Sequence, residues 1–239
     1  MSPIEIRSSD DPELGLWRAT AELAAALPQG SWTLIGAQMV FLIAYEHGLP
    51  LGRTSGDVDV MMDVRALTGA TRQASTTLGR LGYELDPPSP DGRAHRFRRS
   101  DAIVDILAPD GAGPRASLVT IPPGRTIAVP GGSQALARSR YVQLRIEGRD
   151  VAIPCPSVLG AILIKSRAVD VADDPDKHRR DLALLLAAVS DPRSLRDELR
   201  PTERGWLRRR SELLDPRHPA WRTSPGAEDA RIALEILVE

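Results

Sequence analysis

With 239 residues, 42% of them hydrophobic, the chain can build one large core or two small ones, and its formal net charge of −1 excludes the overall basic footprint of a nucleic-acid binder. The lone Cys155, between Pro154 and Pro156, excludes an internal disulfide framework and reads as a buried structural thiol, while His47, His95, His178 and His218 lack the paired spacing of a zinc site. Met1 to Glu13 has no apolar signal core, and the longest apolar run, around Met39 to Tyr45, is far short of the ~20 residues a bilayer requires, so the expectation is a soluble cytoplasmic protein with no membrane partner.

In chain order, apolar residues at helical spacing after an acidic start predict a helix over Asp11–Leu27, with Pro12 in its first turn and Pro28-Gln29-Gly30 ending it. Trp32–Ile35 is a short β-prone run delivering Gly36. Ala37–Glu46 is nearly all apolar, as suits a helix buried on most sides, and Leu49–Gly56 is a loop. Asp57–Val64 reads as a central strand, Arg65–Leu81 as an amphipathic helix stopped by Gly82, and Tyr83–Leu85 as a further strand. Ala94–Arg99 and Ala102–Leu107 form a hairpin across Ser100-Asp101. Pro109–Pro123 is loop-like, and strand pieces follow at Thr126–Val129, Val142–Ile146 and Val151–Ile153.

Past Pro156 the texture is helical: Ser157–Val171, Pro175–Val189, Ser194–Leu199, Thr202–Leu214 and Glu228–Leu237. The expected architecture is α+β, a mixed β-sheet flanked by helices over residues 1–153 followed by a helical C-terminal domain over 154–239.

The chemistry-bearing pattern lies in the first part. In a strand, Asp57 and Asp59 project from one face, and a neighbouring strand carrying Ile103-Val104-Asp105-Ile106-Leu107 can bring Asp105 beside them. Like charges about 4 Å apart repel by roughly 4 kcal/mol at an effective dielectric near 20, and a divalent cation reverses that sign. Magnesium takes oxygen ligands and bridges carboxylates to a substrate's phosphates. Asp174-Pro175-Asp176 has the same spacing but sits in a polar stretch that reads as a loop or helix start.

Other residues join this pattern. Gly36, at a strand-to-helix turn, lets backbone approach a phosphate, or makes a tight turn. Lysine occurs only at Lys165 and Lys177, the other basic residues among the 31 being arginine. Lys165 follows an apolar run behind a Ser157 cap and either snorkels outward or is held in a cleft to meet a phosphate. Asp181 lies four residues after Lys177, either in an ordinary helical ion pair or as a group that orients Lys165 or accepts a proton from the attacking hydroxyl. Arg53 precedes the Asp pair by four residues and either reaches a triphosphate or is an ordinary solvated loop arginine. Around Phe97, His95 and Arg99 share one strand face and Arg96 and Arg98 the other, which suits base stacking or a solvated hairpin. Trp206 with Arg204, Arg208, Arg209 and Arg210 reads as an RNA-tracking helix or a salt-bridged surface.

From Trp32 to Leu186 the chain resembles the DNA polymerase β-type nucleotidyltransferase superfamily, most closely AbiEii/MenT-type toxins. The resemblance rests on Leu34-Ile35-Gly36-Ala37, Arg53-Thr54-Ser55-Gly56-Asp57-Val58-Asp59, Val104-Asp105-Ile106-Leu107, Lys165 and Arg180-Asp181-Leu182. It implies Mg²⁺ on Asp57, Asp59 and Asp105, an NTP triphosphate at Gly36 and Ala37, and nucleotide binding and catalysis by Lys165 and Asp181. A nucleotidyltransferase moving an NMP to a hydroxyl, an RNA (tRNA) 3′ end, is the implied activity, with an antitoxin as protein partner. Ala37 departs from the superfamily's usual Gly-Gly or Gly-Ser and removes a hydroxyl. Adenylylation of an aminoglycoside-like small molecule and a catalytically silent regulator stay open beside it.

Overall fold

The computed structural model describes residues 3–6, 13–113 and 116–239. Its contacts divide the chain into two compact units, Met1–Met39 with Thr54–Pro156, and Val40–Arg53 with Ser157–Glu239.

The first unit carries the β-structure. Strands β1 (Ile4–Ile6), β2 (Trp32–Ile35), β3 (Val58–Met62), β4 (Glu84–Leu85), β5 (Arg96–Arg99), β6 (Ala102–Pro109), β7 (Ala128–Val129), β8 (Ser139–Ile146) and β9 (Arg149–Pro156) form two sheets. The larger runs β2-β3-β6-β5-β4 with β7 added on β6, and it is mixed: β3 pairs β6 in parallel, whereas β2–β3, β5–β6 and β4–β5 are antiparallel. The smaller runs β1-β8-β9. Helix α1 (Leu14–Ala26) packs on β6 and β9 and buries Trp17 and Leu23. The expected helix start at Asp11 and Pro12 lies outside the described residues.

Three local departures from the expected elements have physical causes. Helix α3 (Ala70–Arg80) starts later than Arg65 because the Asp63 carboxylate accepts the backbone N–H groups of Arg65 and Ala66, making a turn instead. The β8–β9 hairpin is longer than the apolar pieces suggest, since its ladder runs from Ser139–Pro156 to Ile146–Arg149 through polar positions. Helix α4 (Gly132–Ala137) starts on the second glycine of Gly131-Gly132, where no element was expected, and it packs against β2, β6 and β9.

The second unit is helical. Helix α2 (Gly36–Glu46) gives its residues from Val40 onward to this unit and buries Phe41, Leu42 and Ile43 there. Then come α5 (Val158–Ala168), α6 (Pro175–Ala187), α7 (Pro192–Asp197), α8 (Pro201–Arg208) and α9 (Ala227–Val238), with short 3-10 turns at Ser211–Leu214 and Pro219–Thr223. Ser157 caps α5 through the Gly160 N–H; Asp174 caps α6 ahead of Pro175, so that Asp-x-Asp repeat is a helix start. Helix α6 packs on α5 and α9, burying Leu163, Leu182, Leu186 and Leu234, each worth about 1.5–3 kcal/mol of transfer free energy. No helix among the described residues is long and apolar enough to cross a membrane.

Candidate functional site

The first unit's site follows from strand register. Parallel pairing of β3 with β6 sets Asp59 directly beside Asp105, and Asp57 at the entry to β3 completes the group. One carboxylate oxygen from each of Asp57, Asp59 and Asp105 lies within 4.8 Å of the others. Asp105 is nearly buried, and Asp57 and Asp59 are half-buried. The flanking Val58, Val60, Val104 and Ile106 point the other way into the core, so strand alternation that buries the valines and isoleucine brings the carboxylates together.

Gly36 is fixed by this same cluster. It opens α2 with φ +71°, and a Cβ built on it would lie 1.8 Å from Asp59 Oδ2. A side chain here is disfavoured twice, by the left-handed backbone and by collision with a carboxylate. Ala37, next on the helix, is buried.

The hairpin adds a group that the spacing of acids did not announce. In β5 the antiparallel register pairs Arg96 with Asp105. The Arg96 guanidinium donates from Nε to Asp105 Oδ1 at 2.9 Å, and from one terminal nitrogen to Asp105 Oδ2 at 2.7 Å and Asp57 Oδ2 at 3.1 Å. These hydrogen bonds and charges hold the guanidinium's pKa above its ordinary value. Three carboxylates against one guanidinium leave a formal surplus of negative charge. A predicted hairpin across Ser100-Asp101 already implies the Arg96–Asp105 pairing, so register arithmetic was the signal available. Phe97 is 1% exposed and belongs to the core, so of the two readings of this strand the hairpin stands and base stacking on Phe97 does not. Burial also pushes His95 below its usual value, against the opposing charge of Asp105.

A groove of about 690 Å³ lies against this hairpin. It is lined among others by Gly56, Glu84, Asp86, Arg98, Asp101 and Ile103. Ile103 and Asp105 share a strand face, two residues or about 7 Å apart, and Gly56 adjoins Asp57. Arg98 is paired with Asp86 at 2.9 Å, and Arg99 with Asp101 at 2.7 Å.

The other predicted residues, Arg53, Lys165 and Asp181, form a cluster in the second unit. Lys165 is 3% exposed and its Nζ donates to Asp181 Oδ2 at 2.8 Å, so it neither snorkels nor reaches solvent. Arg53 forks onto both oxygens of Asp181 at 2.9 and 2.8 Å and stacks over Phe41. Asp181 is thus bonded to Lys165 and Arg53. Burial works to raise the Asp181 pKa, but the charge of Lys165 and the fork from Arg53 outweigh it and hold the carboxyl below the ordinary value. Beside them, burial and the charge of Lys165 push His178 down to about 4. Arg53, Arg180, Thr223 and Ser224 line a small hollow of about 30 Å³.

The arginines near Trp206 are engaged within their own unit. Arg210 donates to Asp170 at 2.6 Å, Arg208 to the carbonyls of Val238 and Glu239, and Trp206 stacks with Arg167.

The donor set of Asp57, Asp59 and Asp105 is all oxygen, partly solvent-accessible and in negative surplus, which fits a hard divalent cation such as Mg²⁺ or Mn²⁺. No family model matches this chain, and none of the curated proteins compared with it does. Among solved structures it is similar to an antigenic nucleotidyltransferase-like protein from Paracoccidioides brasiliensis, with a TM-score of 0.52 and 14% identity over 91% of this chain and 94% of that one. At that identity the likeness establishes architecture alone: the chain has a nucleotidyltransferase-like fold.

Proposed function

We propose that the protein is a Mg²⁺-dependent nucleotidyltransferase that moves an NMP from an NTP to a hydroxyl acceptor. The observation that carries this reading is the convergence of Asp57, Asp59 and Asp105 within 4.8 Å on adjacent strands of such a fold. The acceptor oxygen would bond to the α-phosphorus, the bridge to the β-phosphate would break, pyrophosphate would leave, and the hydroxyl proton would pass to solvent. A bound divalent cation would supply charge neutralisation at the phosphates and acidify the acceptor hydroxyl.

Asp57, Asp59 and Asp105 would hold that cation, and the Gly36 turn would let the α2 amides face the phosphate chain. Ala37 would offer its backbone N–H and no hydroxyl. In the second unit, Lys165, Asp181 and Arg53 are read as a cluster of its own, in which Arg53, at 19% side-chain exposure, is the most accessible member. The groove lined by Glu84, Asp86 and Arg98 is read as the acceptor side of the sheet.

Two acceptors follow from different observations. An RNA (tRNA) 3′ end, with a cognate antitoxin, is what the AbiEii/MenT-type resemblance implies. A cationic small molecule of aminoglycoside type is favoured by the internal pairing of the arginines around Trp206, which ties up the basic groups of that helix. Incubation with α-labelled NTPs, Mg²⁺ and either total tRNA or an aminoglycoside panel separates them. Label on one class names the acceptor; no label on any acceptor, with Asp57→Asn indistinguishable from wild type, would refute transferase activity.

A further inference from the structure

We infer that Arg96 is a positioning residue that sets the site's divalent-cation affinity by competing for the same carboxylate oxygens; the inference rests on the metal reading above. Arg96 occupies both oxygens of Asp105 and one of Asp57, at 2.7–3.1 Å. A hard cation coordinated by Asp57 and Asp105 needs lone pairs that these hydrogen bonds use. Guanidinium and cation cannot both hold them at full strength.

The placement suits exchange. Arg96 is 38% exposed at its side chain, whereas Asp105 is 7% exposed, so the arginine moves more readily than the acid. A further acid lies nearby: Asp86, just past β4 on the strand paired with β5, with its carboxylate held by Arg98 at 2.9 Å. Asp86 donates its backbone N–H to the Arg96 carbonyl at 2.9 Å, so a swung guanidinium has an acidic residue beside its own strand. Arg96 therefore holds the acids in register while leaving them open to displacement by a doubly charged ion. With the arginine removed, three like charges share a few ångströms and attract a cation more strongly.

Isothermal titration of Mn²⁺ into the full chain tests this, using wild type, Arg96→Gln, Arg96→Lys and Asp57→Asn. The expected result is at least about tenfold tighter binding by Arg96→Gln, with Arg96→Lys between it and wild type because an ammonium lacks the fork. A merely structural role would leave the affinity of folded protein unchanged or weaker. Should Arg96→Gln fail to fold, Arg96→Lys alone must bind severalfold tighter. Equal or weaker binding by the Arg96 variants, with wild type binding and Asp57→Asn weakened, overturns the inference and leaves the metal reading standing. No binding by any of these proteins removes both.

Discussion

Asp105 in the first unit and Asp181 in the second are both nearly buried, and each accepts two hydrogen bonds from an arginine fork. Their further neighbours carry opposite sign. Asp105 stands beside Asp57 and Asp59, leaving negative charge in surplus at a partly open face, whereas Asp181 also holds Lys165, leaving positive charge in surplus in a largely buried cluster. The same side chain is thereby prepared for a ligand in one place and committed to the fold in the other. Repelling charges left near solvent suit chemistry, while attracting charges removed from it suit cohesion.

Substitutions can break that contrast. Asp57→Asn or Asp105→Asn should lower NMP transfer by about 10²–10³-fold or more, on the scale of losing a transition-state charge partner, while the unfolding free energy stays within about 1 kcal/mol because repulsion is relieved. Asp181→Asn should behave the other way in urea denaturation, losing about 3–5 kcal/mol because Lys165 is left buried without its counter-charge. Equal stability losses at Asp105 and Asp181 would erase the distinction.

Gly36→Ala sharpens it from the side of packing. The strained φ and the collision with Asp59 should together cost about 1–3 kcal/mol and also reduce transfer, a joint effect expected only where backbone and metal-ligand geometry are fixed by one contact.

A smaller effect is set by pH. The pKa of His178 in the fold, about 4, lies below the roughly 6.5 of an unfolded histidine, so the unfolded chain binds the proton more readily. Its contribution is therefore whole above about pH 6.5, declines as pH falls, and is exhausted below about pH 4. Discounted for partial solvent exposure, the loss should be about 1–2 kcal/mol, and denaturation midpoints of His178→Gln should show a correspondingly flatter pH dependence.

Much of the first unit was legible because a strand's period of two is so restrictive. Once Val104 and Ile106 are core, Asp105 must face the other way, and the same rule serves Val58, Asp59 and Val60. The pairing of Arg96 with the acids is not announced by the spacing of acids, although the hairpin turn fixes its register opposite Asp105. Strand β1 is not legible because three residues pairing in parallel with distant β8 carry no local pattern, and α4 because a six-residue helix opening on a glycine is held by packing. In the second unit, apolar periodicity announced the helices, but the burial of Lys165 depends on Asp181 and Arg53, groups 16 and 128 residues from their partners in sequence. Burial of a charge is decided by such distant partners.

Whether the three carboxylates act as one cation site is decided by Mn²⁺ titration followed by electron paramagnetic resonance. Each of Asp57→Asn, Asp59→Asn and Asp105→Asn should weaken Mn²⁺ binding by about tenfold or more while remaining folded. An Asp105→Asn protein that binds Mn²⁺ as tightly as wild type would contradict a shared site.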